Sequence, residues 1–132
     1  MSLLAALADR VLGARIPDDE LPHPVPPGVV VRRSRLIPAI GGVFMGGSRR
    51  PAGAVTLGHT ILCNEGQTLT DDLLVHELVH VEQWEKDPLF ALKYCAEWFR
   101  HGYRQNPYEQ DAYARQREYA ARKHQSVPPR PL

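Results

Sequence analysis

No stretch of this sequence approaches the roughly 20 consecutive apolar residues that a membrane-spanning helix needs, so no membrane span is expected. A strong charge of either sign is missing too, the net charge being +1. Arg32, Arg33 and Arg35, with Arg49 and Arg50, make only small local clusters. They are too short for the basic footprint of a nucleic-acid surface, and no nucleic-acid partner is expected. Cysteine is scarce: Cys63 and Cys95 are the two in the chain, and neither belongs to a C-x-x-C. Two ordinary thiols in a reducing compartment imply a cytoplasmic protein. The opening MSLLAALADRVLGAR lacks a basic n-region, and Asp9 and Arg10 interrupt its apolar run, so it does not read as a signal peptide.

What is there amounts to 132 residues, 43% hydrophobic and 23% charged, the size and balance of one globular domain. Leu3, Leu4, Leu7, Val11 and Leu12 recur at helical spacing ahead of Gly13, which predicts an amphipathic helix. Residues 14–28 hold five prolines and read as an extended arm laid over the surface. Short β-branched runs at 29–33 and 36–40, a very short strand or loop at 43–45, and the strongest strand candidate at 54–63 follow. The chain then turns helical. Thr68 or Thr70 can cap a helix that runs to about Lys86, with Asp71 and Asp72 in its first turn. Asp87-Pro88 breaks it, 89–101 is a second helical pattern, and Asn106-Pro107 opens a third that runs to about Lys123.

The chemistry concentrates in LVHELVHVEQ, residues 74–83. His76, Glu77 and His80 stand in the order H-E-x-x-H. At 100° per residue the two histidines share one helix face, one turn apart, and two imidazoles so placed can reach one tetrahedral zinc. Glu77 lies one step round, unable to chelate with them but able to act on a water as general base. Leu73, Leu74, Val75, Leu78, Val79 and Val81 surround them, and a helix apolar on nearly every side is a buried one. Two histidines and a glutamate are unusual there unless something pairs with them.

Two histidines do not complete a site. A third histidine six residues after the second is excluded, because position 86 is lysine. Later carboxylates remain: Asp87, Glu97, Glu109, Asp111 and Glu118. On the helix after Asn106, Tyr113, Gln116 and Ala120 fall within about 40° of Glu109 and Ala112 about 60° away, a face suited to close helix packing. Asp111, Arg115, Glu118 and Arg122 fall between about 180° and 240°, a charged stripe with an i,i+4 Asp111–Arg115 pair. Glu109 is therefore expected to point inward. Its other reading is structural: with Asn106 as cap, Glu109 stands where it can complete a capping box. Glu97 is the main rival as ligand.

HELVH followed by NPYEQDAY resembles the gluzincin clan of zinc metallopeptidases. The likeness is greatest to the minigluzincins and to small uncharacterised bacterial H-E-L-x-H-x-x-Q proteins, and it covers about half of the chain, residues 54–120. The resemblance implies zinc held by His76, His80 and Glu109, with water activated by the zinc and by Glu77. It implies a peptide or protein substrate, with the strand around 56–61 flanking the cleft. Tyr113, Tyr108, His101 and His59 are candidates to stabilise an oxyanion. Many gluzincins carry an aspartate four residues after the ligand glutamate to orient a zinc-bound histidine; here that residue is Tyr113. Its hydroxyl, Asp111, another group or a backbone carbonyl must do that work.

The expected architecture is α+β and minimally zincin-like. A sheet of about three strands packs on the HExxH helix, and a glutamate helix and further helices close the site. Residues 1–124 form one metallopeptidase domain, and 125–132 a flexible proline-rich tail. The alternative is a non-catalytic zinc-binding structural or interaction module on such a scaffold. Oligomeric state is not legible.

Overall fold

The computed structural model describes residues 2–35 and 53–126. The runs at 36–40 and 43–45, and the tail beyond Ser126, lie outside the described residues. The order of elements is α1 (Leu3–Leu12), a 3-10 turn (Asp18–Glu20), β1 (Val30–Ser34), β2 (Ala54–Leu57), β3 (Thr60–Asn64), α2 (Asp71–Lys86), α3 (Phe90–His101) and α4 (Pro107–Ser126). The fold is α+β, with a mixed sheet in the order β1-β3-β2 and, among the described residues, four helices. β1 runs parallel to β3 with Val31 opposite Ile61, and β2 antiparallel to it with Val55 opposite Leu62.

Residues 54–63 are not one strand. The chain reverses at Gly58-His59, so AVTL and TILC pair as a hairpin. β-branched residues on both sides hide the turn in the pattern. Its signal is Gly58, whose φ of +63° is one that side-chain-bearing residues adopt only at a cost.

Val31, Ile61, Leu74 and Val81 form the core between sheet and α2, joined by Ile16 and Val29. Ile16 arrives on the proline-rich arm. Its N–H donates to the Val31 carbonyl at 2.8 Å, and Arg33 N–H donates to Ala14 O at 3.0 Å. The arm thus covers the outer edge of β1, and Leu21 and Val25 lie on the core beyond it. That edge would otherwise present unpaired backbone groups.

α1 departs from expectation. Ser2 caps it through Ala5 N–H at 3.1 Å, but none of its residues is buried. Leu3 is 86% exposed and Leu4 77%, and only Leu12 reaches the interior, against Leu62. Periodicity establishes an apolar stripe but not what it faces. α3 behaves alike, burying Phe90 while Leu92 and Phe99 stand exposed.

α2 begins at Thr70, whose hydroxyl accepts from Leu73 N–H at 3.2 Å. α4 begins at the fully buried Asn106, whose Oδ1 accepts from Tyr108 N–H at 3.0 Å while its Nδ2 donates to Tyr94 O at 3.2 Å. The Asn106 N–H is spent on Tyr103 O, at 3.2 Å. The capping box is therefore not formed, and the Glu109 side chain is left for other use. α2 and α4 pack antiparallel. Lys123 and the Tyr119 hydroxyl both reach Asp71, and at the other end Arg115 pairs with Glu82. Arg115 thus spans helices instead of making the expected pair with Asp111.

Two glycines separate conformational strain from collision. A Cβ on Gly58 meets nothing within 4 Å, whereas one on Gly13, at φ +96°, would stand 1.7 Å from the Arg33 carbonyl oxygen. Gly58→Ala is expected to cost about 1–2 kcal/mol, the left-handed penalty alone. Gly13→Ala should cost clearly more, because β1 must also move. Urea unfolding of the two variants checks the order.

Candidate metal centre

Three side chains converge between α2 and α4. His76 Nε2 lies 3.3 Å from His80 Nε2, and Glu109 Oε1 lies 3.2 Å from the first and 2.6 Å from the second. All three residues are buried, Glu109 at 2% exposure. α2 supplies the histidines from one face, and α4 supplies the carboxylate because Asn106 starts that helix opposite them. Ala112, one turn on, is fully buried and lets the helices approach. Among the described residues this is the one group of three or more His, Cys, Asp or Glu side chains with metal-ligand spacing.

The other carboxylates are elsewhere. Asp87 pairs with Lys93, Glu97 with Arg100 and His101, and Glu118 with Arg122. Asp111 is exposed but accepts from Gln83 Nε2 at 3.2 Å. Of the proposed oxyanion donors, His59 pairs with Glu85 at 2.9 Å and His101 with Glu97, both at the surface. Tyr108 packs on Phe90 and Tyr94. Tyr113 rests edge-on to His76, ring centroids 4.4 Å apart, and its hydroxyl meets that of Tyr103 at 3.3 Å.

Glu77 is buried beside the triad but outside it. The Thr56 hydroxyl donates to its Oε2 at 2.6 Å, so β2 fixes the carboxylate. The strand around 56–61 therefore touches the site through one side chain, with the hairpin turn interrupting the rest. Thr56 O accepts from the Trp84 indole at 3.2 Å, which ties the edge strand to α2 a second time.

Thr56 and Tyr103 escaped the sequence reading. For Thr56 the available signal was a hydroxyl among apolar neighbours in the strand preceding α2; Tyr103 lies in the α3–α4 connection and carried none. The remaining ring nitrogens meet glutamines: His76 Nδ1 lies 3.0 Å from Gln116 Oε1, and His80 Nδ1 2.8 Å from Gln83 Oε1. Gln116 shares the Glu109 face of α4 and reaches His76 from it. It answers the question left by Tyr113, as the group behind the first histidine.

Burial pulls the His80 pKa down, but the hydrogen bond it donates to Glu109, the charges of Glu77 and Glu109, and the hydrogen bond to Gln83 outweigh it and raise the group from 6.5 to about 9. Burial likewise pushes Glu109 up, and its hydrogen bonds to His76 and His80, with their charges, bring it from 4.5 to about 2. Without a cation the centre is thus an imidazolium–carboxylate pair. Burial, followed by the charge of Glu109, also pushes the Tyr94 and Tyr103 hydroxyls well up, so both stay protonated.

No family model, curated protein or solved structure matches this chain. The geometry stands on its own.

The pair's pH dependence follows from the direction of each shift. His80's folded value is raised, so its contribution is complete below 6.5 and lost as pH rises through about 9. Glu109's is lowered, so its contribution is complete above 4.5 and lost as pH falls toward about 2. The pair should therefore stabilise the metal-free chain most between 4.5 and 6.5. A cation must displace the His80 proton. Binding at pH 7 is expected to release about one proton, with affinity climbing toward pH 9. Calorimetric zinc titrations in buffers of different ionisation enthalpy measure this, and zero proton release would contradict the pairing.

Proposed function

We propose that the chain is a small zinc-dependent metallopeptidase, hydrolysing peptide bonds at the His76–His80–Glu109 centre with Glu77 as general base. The observation that carries this reading is the convergence of two imidazole nitrogens and one carboxylate oxygen in a buried site. Bonds of about 2.0–2.1 Å to a tetrahedral zinc require donors about 3.3 Å apart. Two of the three separations are 3.3 and 3.2 Å, and the third, 2.6 Å, is a hydrogen bond that a cation would replace. The donor set fits zinc.

The number of donors favours catalysis. Structural zinc sites are closed by four protein ligands, whereas catalytic ones have three and an open position; this group has three. A zinc ion there supplies Lewis acidity, polarising a carbonyl and acidifying water. The protein's own part falls to Glu77 and Thr56. Glu77 takes the proton of the attacking water and returns it to the leaving amine. Thr56 holds one carboxylate oxygen, leaving the other to receive that proton. Tyr113 or Tyr103, whose hydroxyls meet on the His76 side, is the best-placed donor to a developing oxyanion. The gluzincin resemblance of HELVH and NPYE supports this assignment, as does the placing of the His76–His80 pair on α2 opposite Glu109 on α4.

Two sets of variants test it. Glu77→Gln is expected to keep its zinc and lose about 10²–10⁴-fold in kcat. Glu109→Ala should lose most of its zinc, while Glu97→Ala keeps its own. Metal analysis beside cleavage of a denatured-protein substrate reads both sets. An active Glu77→Gln protein would rule out the general-base role, and full zinc in Glu109→Ala would rule out the ligand set. A zinc-loaded wild type without turnover would favour the structural module. Thr56→Val removes a hydrogen bond to a charged group and should lower kcat about tenfold or more with KM little changed, and Thr56→Ser should restore it.

A further inference from the structure

The outer nitrogens of both histidines face neutral amides, and one of those amides is itself held by a carboxylate. Gln83 Nε2 donates to the Tyr108 carbonyl at 3.1 Å and to Asp111 Oδ2 at 3.2 Å. Neither partner can donate in return, so the amide cannot be turned round without setting oxygen against oxygen. Gln83 Oε1 must therefore face His80 Nδ1, 2.8 Å away. When a cation displaces the proton between His80 and Glu109, the ring keeps its proton on Nδ1, facing Gln83, and offers the Nε2 lone pair to the cation. Asp111 touches neither histidine among the hydrogen bonds of the site.

We propose that Asp111, Gln83 and His80 form a relay in which a surface carboxylate acts on the metal centre at one remove, through the dipole of a half-buried amide, with Gln116 as the matching acceptor for His76. The proposal rests on the triad being a metal centre but not on its cleaving peptides. Asp111 polarises the Gln83 amide, which sharpens its carbonyl as an acceptor and fixes the His80 tautomer. Gln83 and Asp111 are positioning residues, since neither approaches the cation. A carboxylate directly behind each ring would make the imidazoles stronger donors and bind zinc more tightly. Amides hold the geometry while leaving the bound cation a stronger Lewis acid. The relay also explains why α4 turns Asp111 outward: the residue works from the rim of the α2–α4 contact.

Zinc affinity of the full chain, measured against a competing chelator, tests this without any assay of turnover. Gln83→Met and Gln116→Met, similar in volume but without the amide acceptor, should each lose about 10–100-fold. Gln116→Glu, which still accepts, should bind at least as tightly as wild type. Asp111→Asn should lose a few-fold in the wild-type background and nothing further in Gln83→Met. A loss that persists in Gln83→Met would show Asp111 acting through space and overturn the relay, as would wild-type affinity in the Met variants. Circular dichroism of the metal-free proteins separates weak binding from misfolding. Should Gln83→Met not fold, the Gln116 pair decides, and a Gln116→Glu protein as weak as Gln116→Met would overturn the assignment. A wild type that binds no zinc would instead remove the metal centre, and the relay with it.

Discussion

The contact on which the structure depends is that of Glu109 with the two histidines. A carboxylate at 2% exposure is costly to bury unless charges or donors meet it. His80 and His76 meet it at 2.6 and 3.2 Å, so neither helix can shift without stranding a charge. The other ties between α2 and α4 are arranged around this one. Asp71 meets Tyr119 and Lys123, His76 meets Gln116, Glu82 meets Arg115, and Gln83 meets Tyr108 and Asp111. As one number rises the other tends to fall, the mark of two antiparallel helices held along most of their length.

The sheet is subordinate to this pair but shapes what it can do. β3 supplies Ile61 to the core under α2, and β2, at the edge, supplies Thr56 to Glu77. A four-residue strand is enough, because its one buried hydroxyl and one carbonyl are each bound to α2 or its side chains. The arm then covers the opposite edge of the sheet at β1.

The helical half was legible because its signals are local. Thr70, Asp87-Pro88 and Asn106-Pro107 mark where helices start and stop whatever surrounds them, and the observed limits fall within a few residues of the expected ones. The inward direction of Glu109 was legible for a related reason: its neighbours at helical spacing, Ala112, Tyr113, Gln116 and Ala120, are uncharged, while the charges cluster opposite. The errors are non-local. Nothing in AVTLGHTILC but one glycine distinguishes a strand from a hairpin. No feature of Leu3, Leu4, Leu7 and Val11 says that the stripe stays exposed among the described residues, and the pairing of Arg115 with Glu82 of α2 depends on how the two helices meet. The glutamines and Thr56 depend on tertiary placement, so their roles appear only once the helices are set together.

The order of elements has one further consequence. Both histidines precede Glu109 by about thirty residues, and proteins are made from the N-terminus onward at about 5–20 residues per second. The sheet and α2 can meet while α4 is still being added, when the apolar face of α2 is covered by the sheet but the imidazoles face no carboxylate. The helix that closes the centre is thus made after the elements it closes on. Anything that delays or truncates α4 leaves an exposed pair of histidines on an otherwise finished scaffold.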